Sequence, residues 1–333
     1  MYEVQTFDVN DNLKQDFDRF ADEHYKNDLF YSGTEQIPVN YQTKLFIVKD
    51  KCKTIARAVA ITDKNITYKN KKAGLIGFYE SIDDNAASKI LIDSVSNYFK
   101  NNGIYYLIGP MNGSTWNSYR FTKSQNSVPF FLDIYNKPWY SDQFLNNNFT
   151  VIGKYYSTKA ALDKTTCQRV DKFENYFYRK GIKIRQIDLN NFKEELKIIY
   201  DLSVESFKDN FLYTEISYKD FFNKYQNINK FINDKLSYIA LNSDNKPVGF
   251  IFCVDNIIDI ANKTLIIKSL GTLKDNNHKG LGTFLVEKTH KNAIKYDYKY
   301  VLHALMHEDN ISYNILNQST SIYQKYLLFG KAL

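Results

Sequence analysis

The chain carries one succession of predicted elements twice, and this repetition limits the folds that it can adopt. Apolar periodicity and β-branched content predict three strands, an amphipathic helix and a further strand. The first half places them at residues 44–50, 54–62, 73–80, 85–102 and 104–108. The second half places them at residues 238–241, 248–254 and 265–273, a helix that starts near Gly280, and residues 300–306. Each half also opens with a strand and a helix, at residues 2–8 and 12–25 and at residues 182–187 and 191–207. Two α+β domains of the same design are therefore predicted.

The length of 333 residues fits two domains of about 150 residues each. Residues 162–180 have helical spacing and end at Gly181, which predicts a packed connecting helix rather than a flexible linker. The predicted organisation is a first domain over residues 1–160, a connecting helix over residues 161–181 and a second domain over residues 182–333.

Composition and charge argue against several classes of partner. The net charge of +7 comes mainly from lysines spread along the chain, and the densest basic stretch, residues 64–72, is predicted to be a solvated hairpin loop, so nucleic acid is not an expected partner. No apolar run approaches the ~18 residues that span a membrane, and residues 1–30 lack an apolar signal-peptide core. The three cysteines and five histidines lack the spacing of a metal site. A cytoplasmic protein without a metal and without a membrane partner is expected.

Residues 275–283 contain the one site-like glycine pattern of the sequence, between a predicted strand and a predicted helix. Gly280 and Gly282 let the backbone curl with its N–H groups pointing inward, and the helix N-terminus behind them adds a partial positive charge. Together these features predict an anion-binding loop. The alternative is that both glycines serve only a tightly packed start of the helix.

The order of elements around this loop resembles the GNAT acyltransferase superfamily over the whole of residues 182–333. The loop is similar to the family's motif Gln/Arg-x-x-Gly-x-Gly/Ala, with Asn277 where Gln or Arg is usual. The resemblance implies an α+β fold with two GNAT-like domains, each a twisted, mostly antiparallel sheet flanked by helices.

The same resemblance implies that the cofactor is acetyl-CoA or coenzyme A. Its pyrophosphate would lie on the backbone of the loop residues Asn277, His278, Lys279, Gly280, Leu281, Gly282 and Thr283. Its pantetheine arm would pair with the main chain of Leu270, Gly271 and Thr272, in a cleft whose other wall is residues 302–306. Asn310 matches an asparagine that often contacts the cofactor in this family, and a helix-capping role is the alternative.

The resemblance also implies direct attack of an amine on the thioester, with a base for the amine and an acid for the departing thiolate. Asn317 stands where the family often has its tyrosine acid. The candidate acids are Tyr313, Tyr323 and Tyr326, each with a packing role as the alternative. The candidates for the base are His303, His307 and Glu308, on or just after the cleft strand. His307 with Glu308 is the preferred pair because both lie at the C-terminal end of the strand, and a surface role is again the alternative.

The first half resembles the same fold without the glycine loop. Asp83 and Asp84 stand where a pyrophosphate would have to lie, so anion binding is not expected there. Residues 77–84, 109–115 and 135–149 resemble a group of bacterial two-domain GNAT-like proteins. The polar and aromatic loop 109–117 is a candidate for substrate contact, with a self-bonded turn as the alternative.

The leading hypothesis is an acyl-CoA-dependent N-acyltransferase that acts on the amine of a small molecule or a peptide, with catalysis in the second domain. Two alternatives stay open. One is a non-catalytic GNAT-like protein that binds a ligand or a protein, and the other is an aminoacyl transferase of the tandem-GNAT type. The missing tyrosine favours the non-catalytic alternative, whereas the intact glycine loop argues against it.

Overall fold

The computed structural model describes residues 2–31, 33, 35–123, 128–163, 170–310 and 320–333, which fall into two compact units. The first unit contains Met1–Pro129, Ile134–Tyr155 and Gln324–Leu333, and the second contains Phe130–Asp133 and Tyr156–Tyr323. The C-terminal segment therefore packs within the first unit. The domain boundaries at residues 160 and 181 stay predictions from the sequence.

The strands and helices predicted for each half occur in the predicted order, and the structure adds two strands and two helices that were not predicted, at residues 121–122, 140–146, 150–161 and 218–225. The first half contains β1 (Tyr2–Phe7), α1 (Lys14–His24), β2 (Gln42–Asp50), β3 (Lys53–Tyr68), β4 (Lys71–Ser81), α2 (Asn85–Asn101), β5 (Tyr106–Gly109), β6 (Phe121–Thr122), α3 (Tyr140–Asn146) and β7 (Thr150–Ala161). The second half contains α4 (Val170–Arg179), β8 (Lys183–Gln186), α5 (Phe192–Phe207), α6 (Tyr218–Tyr225), β9 (Tyr238–Leu241), β10 (Pro247–Asp255), β11 (Thr264–Thr272), α7 (Leu281–Lys295), β12 (Tyr300–His307) and β13 (Ser321–Ala332). Within the described residues, no helix combines the length and the apolar content needed to cross a membrane.

The two units share one pattern of strand pairing. In the first unit β1, β2, β3 and β4 pair antiparallel in sequence order, β4 pairs parallel with β5, and β5 pairs antiparallel with β13. In the second unit β8, β9, β10 and β11 pair antiparallel in sequence order, and β11 pairs parallel with β12. In each unit one helix, α2 or α7, connects the two parallel strands, as a parallel crossover requires. The predicted α+β class, with mostly antiparallel pairing, is confirmed.

The apolar face predicted for the helix of each half is buried. In α7 the side chains of Leu281, Leu285 and Ala293, spaced by one helical turn or its multiples, are fully buried in the core of the second unit. In α2 the side chains of Leu91 and Phe99 are fully buried in the core of the first unit. Each buried leucine or phenylalanine side chain contributes about 1.5–3 kcal/mol of hydrophobic stabilisation, which holds the helix against its sheet.

The basic stretch 64–72 differs from the predicted hairpin loop. Strands β3 and β4 continue through it, with Thr67 opposite Lys72 and Tyr68 opposite Lys71. The turn is reduced to Lys69 and Asn70, which have φ angles of 50° and 61°. A two-residue turn with left-handed backbone matches the twist of paired strands, so the strands can extend to its edge despite their charged side chains.

A buried histidine pair lies in the core of the second unit, between α7 and β12. Nε2 of His290 is 3.0 Å from Nε2 of His303, and Nδ1 of His303 is 3.4 Å from the hydroxyl of Thr158. Burial lowers the pKa of His290 from 6.5 to about 4 and lowers the pKa of His303 well below 6.5. Both rings are therefore neutral near pH 7, and one Nε2–H donates a hydrogen bond to the other ring.

The neutral pair makes the second unit sensitive to acid. A histidine whose pKa is lowered by folding binds its proton more readily in the unfolded chain, so its stabilising contribution is complete above about pH 6.5 and is lost as the pH falls towards 4. We expect His290 alone to lower the free energy of unfolding by about 2 kcal/mol between about pH 7 and about pH 5. Urea unfolding at the two pH values measures this, and His290→Gln, with no titrating ring, should lose that share of the pH dependence. An unchanged pH dependence in the variant would contradict the assignment.

Candidate functional site

Strands β11 and β12 of the second unit separate along their length. Their parallel pairing is described from Thr264 opposite Tyr300 to Ile267 opposite His303, yet β11 continues to Thr272 and β12 continues to His307. The separation begins at a β-bulge, because β10 pairs with the residues on either side of Lys268 and leaves Lys268 as the extra residue. Beyond this point β11 stays paired with β10 and has no described pairing with β12, which indicates a cleft between β11 and β12.

The edge of β11 that faces this cleft consists of the main chain of Leu270 and Thr272. The N–H of Leu273 donates to the carbonyl of Val248 in β10, at 2.9 Å. Since successive residues of a strand direct their N–H and C=O groups to opposite edges, Gly271 also faces β10, whereas Leu270 and Thr272 face away from it. A Cβ atom on Gly271 would lie 2.6 Å from Cε1 of Phe250, so packing against Phe250 explains this glycine.

The loop between β11 and α7 uses three of its own N–H groups internally, and the first of them, the N–H of Asp275, donates to the carbonyl of Leu273 at 3.1 Å. The carboxylate of Asp275 accepts the N–H of Asn277 at 2.8 Å, and the main-chain carbonyl of Asp275 accepts the N–H of His278 at 2.9 Å. Helix α7 then begins at Leu281, with Gly280 as its N-cap and no side-chain cap. The N–H groups of the first turn therefore have no partner inside the helix, and they carry the positive end of its dipole.

Gly280 and Gly282 differ in whether the structure requires a glycine at their position. Gly280 has a φ of +88°, a left-handed backbone that other residues adopt at a cost. Gly282 has no such angle, and a Cβ atom on it would lie 3.7 Å from Leu270 and 3.9 Å from Thr272, which are ordinary contacts. The left-handed backbone therefore accounts for Gly280, whereas neither the backbone angle nor packing requires a glycine at position 282.

In the corresponding helix of the first unit, α2, a side chain of the protein itself accepts the N–H groups of the first turn. One carboxylate oxygen of Asp84 accepts the N–H groups of Ala86 and Ala87, at 2.6 and 3.1 Å. The other oxygen accepts the hydroxyl of Tyr2 at 2.6 Å, and this bond lowers the pKa of Asp84. A carboxylate thus occupies the position where an anionic ligand would have to bind.

The edge of β4 in the first unit is also occupied by the chain itself. Pairing of β4 with β5 is described only for Gly74 and Leu75. Beyond them, the N–H of Met111 donates to the carbonyl of Ile76 at 2.9 Å, and the N–H of Phe78 donates to the side-chain oxygen of Asn112 at 2.8 Å. The loop after β5 therefore occupies the edge of β4, whereas no described residue forms such hydrogen bonds with the corresponding edge of β11.

The predicted base residues lie where β12 ends, on the wall of the cleft opposite β11. Nδ1 of His307 accepts the N–H of Asp309 at 3.2 Å, which assigns the proton of the neutral ring to Nε2. The ring of His307 lies 5.6 Å from the ring of Phe211. Glu308 follows directly, and the exposed Asn310 donates its N–H to the carbonyl of His307 at 2.9 Å. In this geometry His307 offers an N–H donor rather than a free basic nitrogen.

The candidate tyrosine acids are not brought together. Tyr323 lies near the start of β12, since the amine of Lys159 is 4.2 Å from the ring of Tyr300 and 5.6 Å from the ring of Tyr323. At about 3.3 Å per residue, Tyr300 is about 23 Å from His307 along the strand. Tyr326 is fully buried within the first unit. Tyr313 and Asn317 fall outside the described residues.

Two polar atoms near the cleft are buried without a hydrogen-bond partner among the described residues, namely Oγ of Ser206 and Nδ1 of His278. The hydroxyl of Ser206, on α5, lies 3.2 Å from the position of a Cβ atom on Gly271. Sequence reasoning missed Ser206 because a serine near the end of an amphipathic helix carries no signal of its own. Such orphaned atoms at a cleft are suited to a polar ligand.

Comparison with known proteins found likenesses of structure only; no protein-family model and no curated protein matches this sequence. A conserved protein of Enterococcus faecalis V583, described as a probable N-acyltransferase, is 10% identical, with a TM-score of 0.59 over 100% of this chain and 73% of its own. A tandem GNAT protein from the clavulanic acid biosynthesis pathway is 9% identical, with a TM-score of 0.56 over 100% of this chain and 98% of its own. A GCN5-related glucosamine N-acetyltransferase region of a fungal multi-domain beta-N-acetylglucosaminidase is 11% identical, with a TM-score of 0.55, and this chain spans 38% of that protein. At such identities the likeness shows the fold alone.

Proposed function

Because the chain has the GNAT fold, we propose that it is an acyl-CoA-dependent N-acyltransferase, with acetyl-CoA as donor and the amine of a small molecule or peptide as acceptor. One observation carries the proposal. In the second unit a strand edge that pairs with no other strand among the described residues, and a helix N-terminus without a side-chain cap, lie at the two ends of one short loop, residues 273–280. The first unit has the same two elements, but its own side chains and backbone fill both.

The residues around the loop fit coenzyme A. The first-turn N–H groups of Leu281, Gly282 and Thr283 suit the pyrophosphate, since a helix N-terminus binds anions through these donors and its dipole. The main chain of Leu270 and Thr272 suits the amides of the pantetheine arm, which would add to β11 as a strand. Asn277 and His278 keep their N–H groups inside the loop and are supporting residues in this proposal.

The bound acyl-CoA would supply an electrophilic thioester, and the end of β12 would supply the groups that act on the reacting atoms. The Nε2–H of His307 is suited to donate a hydrogen bond to the negative charge that develops as the amine attacks. The carboxylate of Glu308, the next residue, would accept the proton of the amine directly or through water. Phe211, beside His307, would help to keep water from the reacting atoms.

The cofactor assignment predicts one binding site per chain, because within the described residues the helix terminus and the strand edge are occupied by the chain itself in the first unit and not in the second. Calorimetric titration with acetyl-CoA should give one equivalent, and the ligand should raise the melting temperature because it binds the native fold. Release of free thiol with a panel of amines then tests the transfer. Two equivalent sites, or none at saturating ligand, would refute the cofactor assignment. Binding without transfer to any amine would favour the non-catalytic alternative.

A further inference from the structure

Arg120 follows the polar loop 109–117 of the first unit, and its side chain is buried in the interior of that unit. The N–H of Arg120 donates to the carbonyl of Pro110 at 2.9 Å, and Met111 and Tyr119 form an isolated β-bridge one residue further in. These backbone bonds hold the two ends of the loop next to each other. The side chain of Arg120 is directed inward, and the residue is only 6% exposed.

The guanidinium of Arg120 has aromatic neighbours but no anion. It lies 4.1 Å from the ring centres of Tyr119 and Tyr155 and 5.8 Å from that of Tyr326. Its Nε and Nη1 atoms are buried without a hydrogen-bond acceptor. Across the described part of the chain, no carboxylate comes within ion-pairing distance of Arg120. A guanidinium stays protonated in proteins, so this is a buried, uncompensated positive charge.

The cation–π contacts do not offset the loss of hydration. Such contacts contribute about 0.5–2 kcal/mol, whereas removing a charge from water costs several kcal/mol unless a counter-charge and hydrogen bonds replace the solvent. The other deeply buried arginine of the unit, Arg57, illustrates the usual solution. It stacks on Phe17, donates to the carbonyl of Phe17 at 2.9 Å and lies 4.0 Å from the carboxylate of Glu80.

We propose that Arg120 is the anchor of a binding site in the first unit for a ligand that carries a carboxylate. The charge favours a monoanion, because loop residues 110–120 contain no lysine and no second arginine to balance a doubly charged phosphate. The surrounding tyrosine rings favour a carboxylate attached to an apolar or aromatic body.

The route to Arg120 runs past Tyr119. Of the three rings around the guanidinium, Tyr326 is fully buried and Tyr155 is 4% exposed, whereas Tyr119 is half-buried at the surface. A rotation of the Tyr119 side chain would open the guanidinium to solvent. All of these residues belong to the first unit.

The test compares carboxylates with their uncharged amides. Benzoate and acetate, benzamide and acetamide, and inorganic phosphate are titrated into the full-length protein at constant ionic strength, up to about 100 mM, where a ligand of millimolar Kd saturates. We expect benzoate to raise the melting temperature by about 3 °C or more at ten times its Kd, acetate to act more weakly, and the amides and phosphate to have no effect.

Arg120→Met provides the matched variant, since it keeps an unbranched, flexible apolar side chain and removes the charge. We expect its affinity for benzoate to fall at least tenfold, while its ligand-free melting temperature rises because no unpaired charge is buried. If Arg120→Met fails to fold, Arg120→Lys, which keeps the charge, should retain a benzoate response. Equal effects of benzoate and benzamide on the wild type would overturn the proposal. A lower melting temperature in Arg120→Met together with unchanged benzoate binding would overturn it as well and assign Arg120 a purely structural role.

Discussion

We expect His307→Phe to lower turnover by about 10²-fold while the Kd for acetyl-CoA changes less than about twofold. The N–H of Asp309 occupies Nδ1 of His307, so the proton of the neutral ring is on Nε2, where it can stabilise developing negative charge. Phenylalanine keeps the ring beside Phe211 but removes that donor. Single-turnover rates with an accepted amine separate this loss from a change in cofactor binding.

The conservative variant His307→Gln distinguishes a donor from a base. The side-chain amide of the glutamine can donate an N–H in place of the Nε2–H of histidine, but an amide does not accept a proton at neutral pH. Retention of most of the activity in His307→Gln would support the donor role, whereas equal losses in both variants would show that His307 is the base. Tyr323→Phe is the matched control, because Tyr323 lies near the other end of β12 and should give wild-type turnover. Wild-type turnover in His307→Phe, with a large loss in Tyr313→Phe, would refute the assignment to His307.

The second large effect is expected at Gly282, where valine should weaken coenzyme A binding at least tenfold, or by about 1.4 kcal/mol. A Cβ atom at this position points towards the side chains of Leu270 and Thr272, the two residues whose main chain forms the edge of β11 that faces away from β10. The methyl groups of valine would fill the space between this edge and the first turn of α7. Calorimetric titration of the folded variant measures the loss.

Gly282→Ala is the control for this prediction. Its single added carbon makes only ordinary contacts with the protein, and alanine favours a helix by about 1 kcal/mol over glycine, so stability should be kept or raised. Binding should be retained, because a small residue at this position leaves the edge open. Wild-type affinity in folded Gly282→Val would refute the cofactor site and leave Gly282 as a helix start alone.

The amino-acid sequence by itself determined the elements and their order. Periods of two and of three to four residues are local properties, and they predicted β9, the apolar face of α7 and the repeated crossover from strand to helix to strand. The glycine pattern predicted where α7 begins, because a left-handed N-cap such as Gly280 favours a residue without a Cβ atom. The turn at Lys69 and Asn70 was missed, since its left-handed angles occur at residues with no glycine to mark them.

Only the tertiary structure decided which groups of the candidate site are available. The bulge at Lys268 has no sequence signature, yet it marks where β11 leaves β12. The burial of Tyr326 in the first unit and the distance of Tyr323 from His307 depend on pairing between segments far apart in sequence. The proton position on His307 and the missing counter-charge of Arg120 follow from neighbours that folding brings together. Local propensity places residues on an element, but long-range packing decides what each side chain faces, and the chemistry of a site depends on that environment.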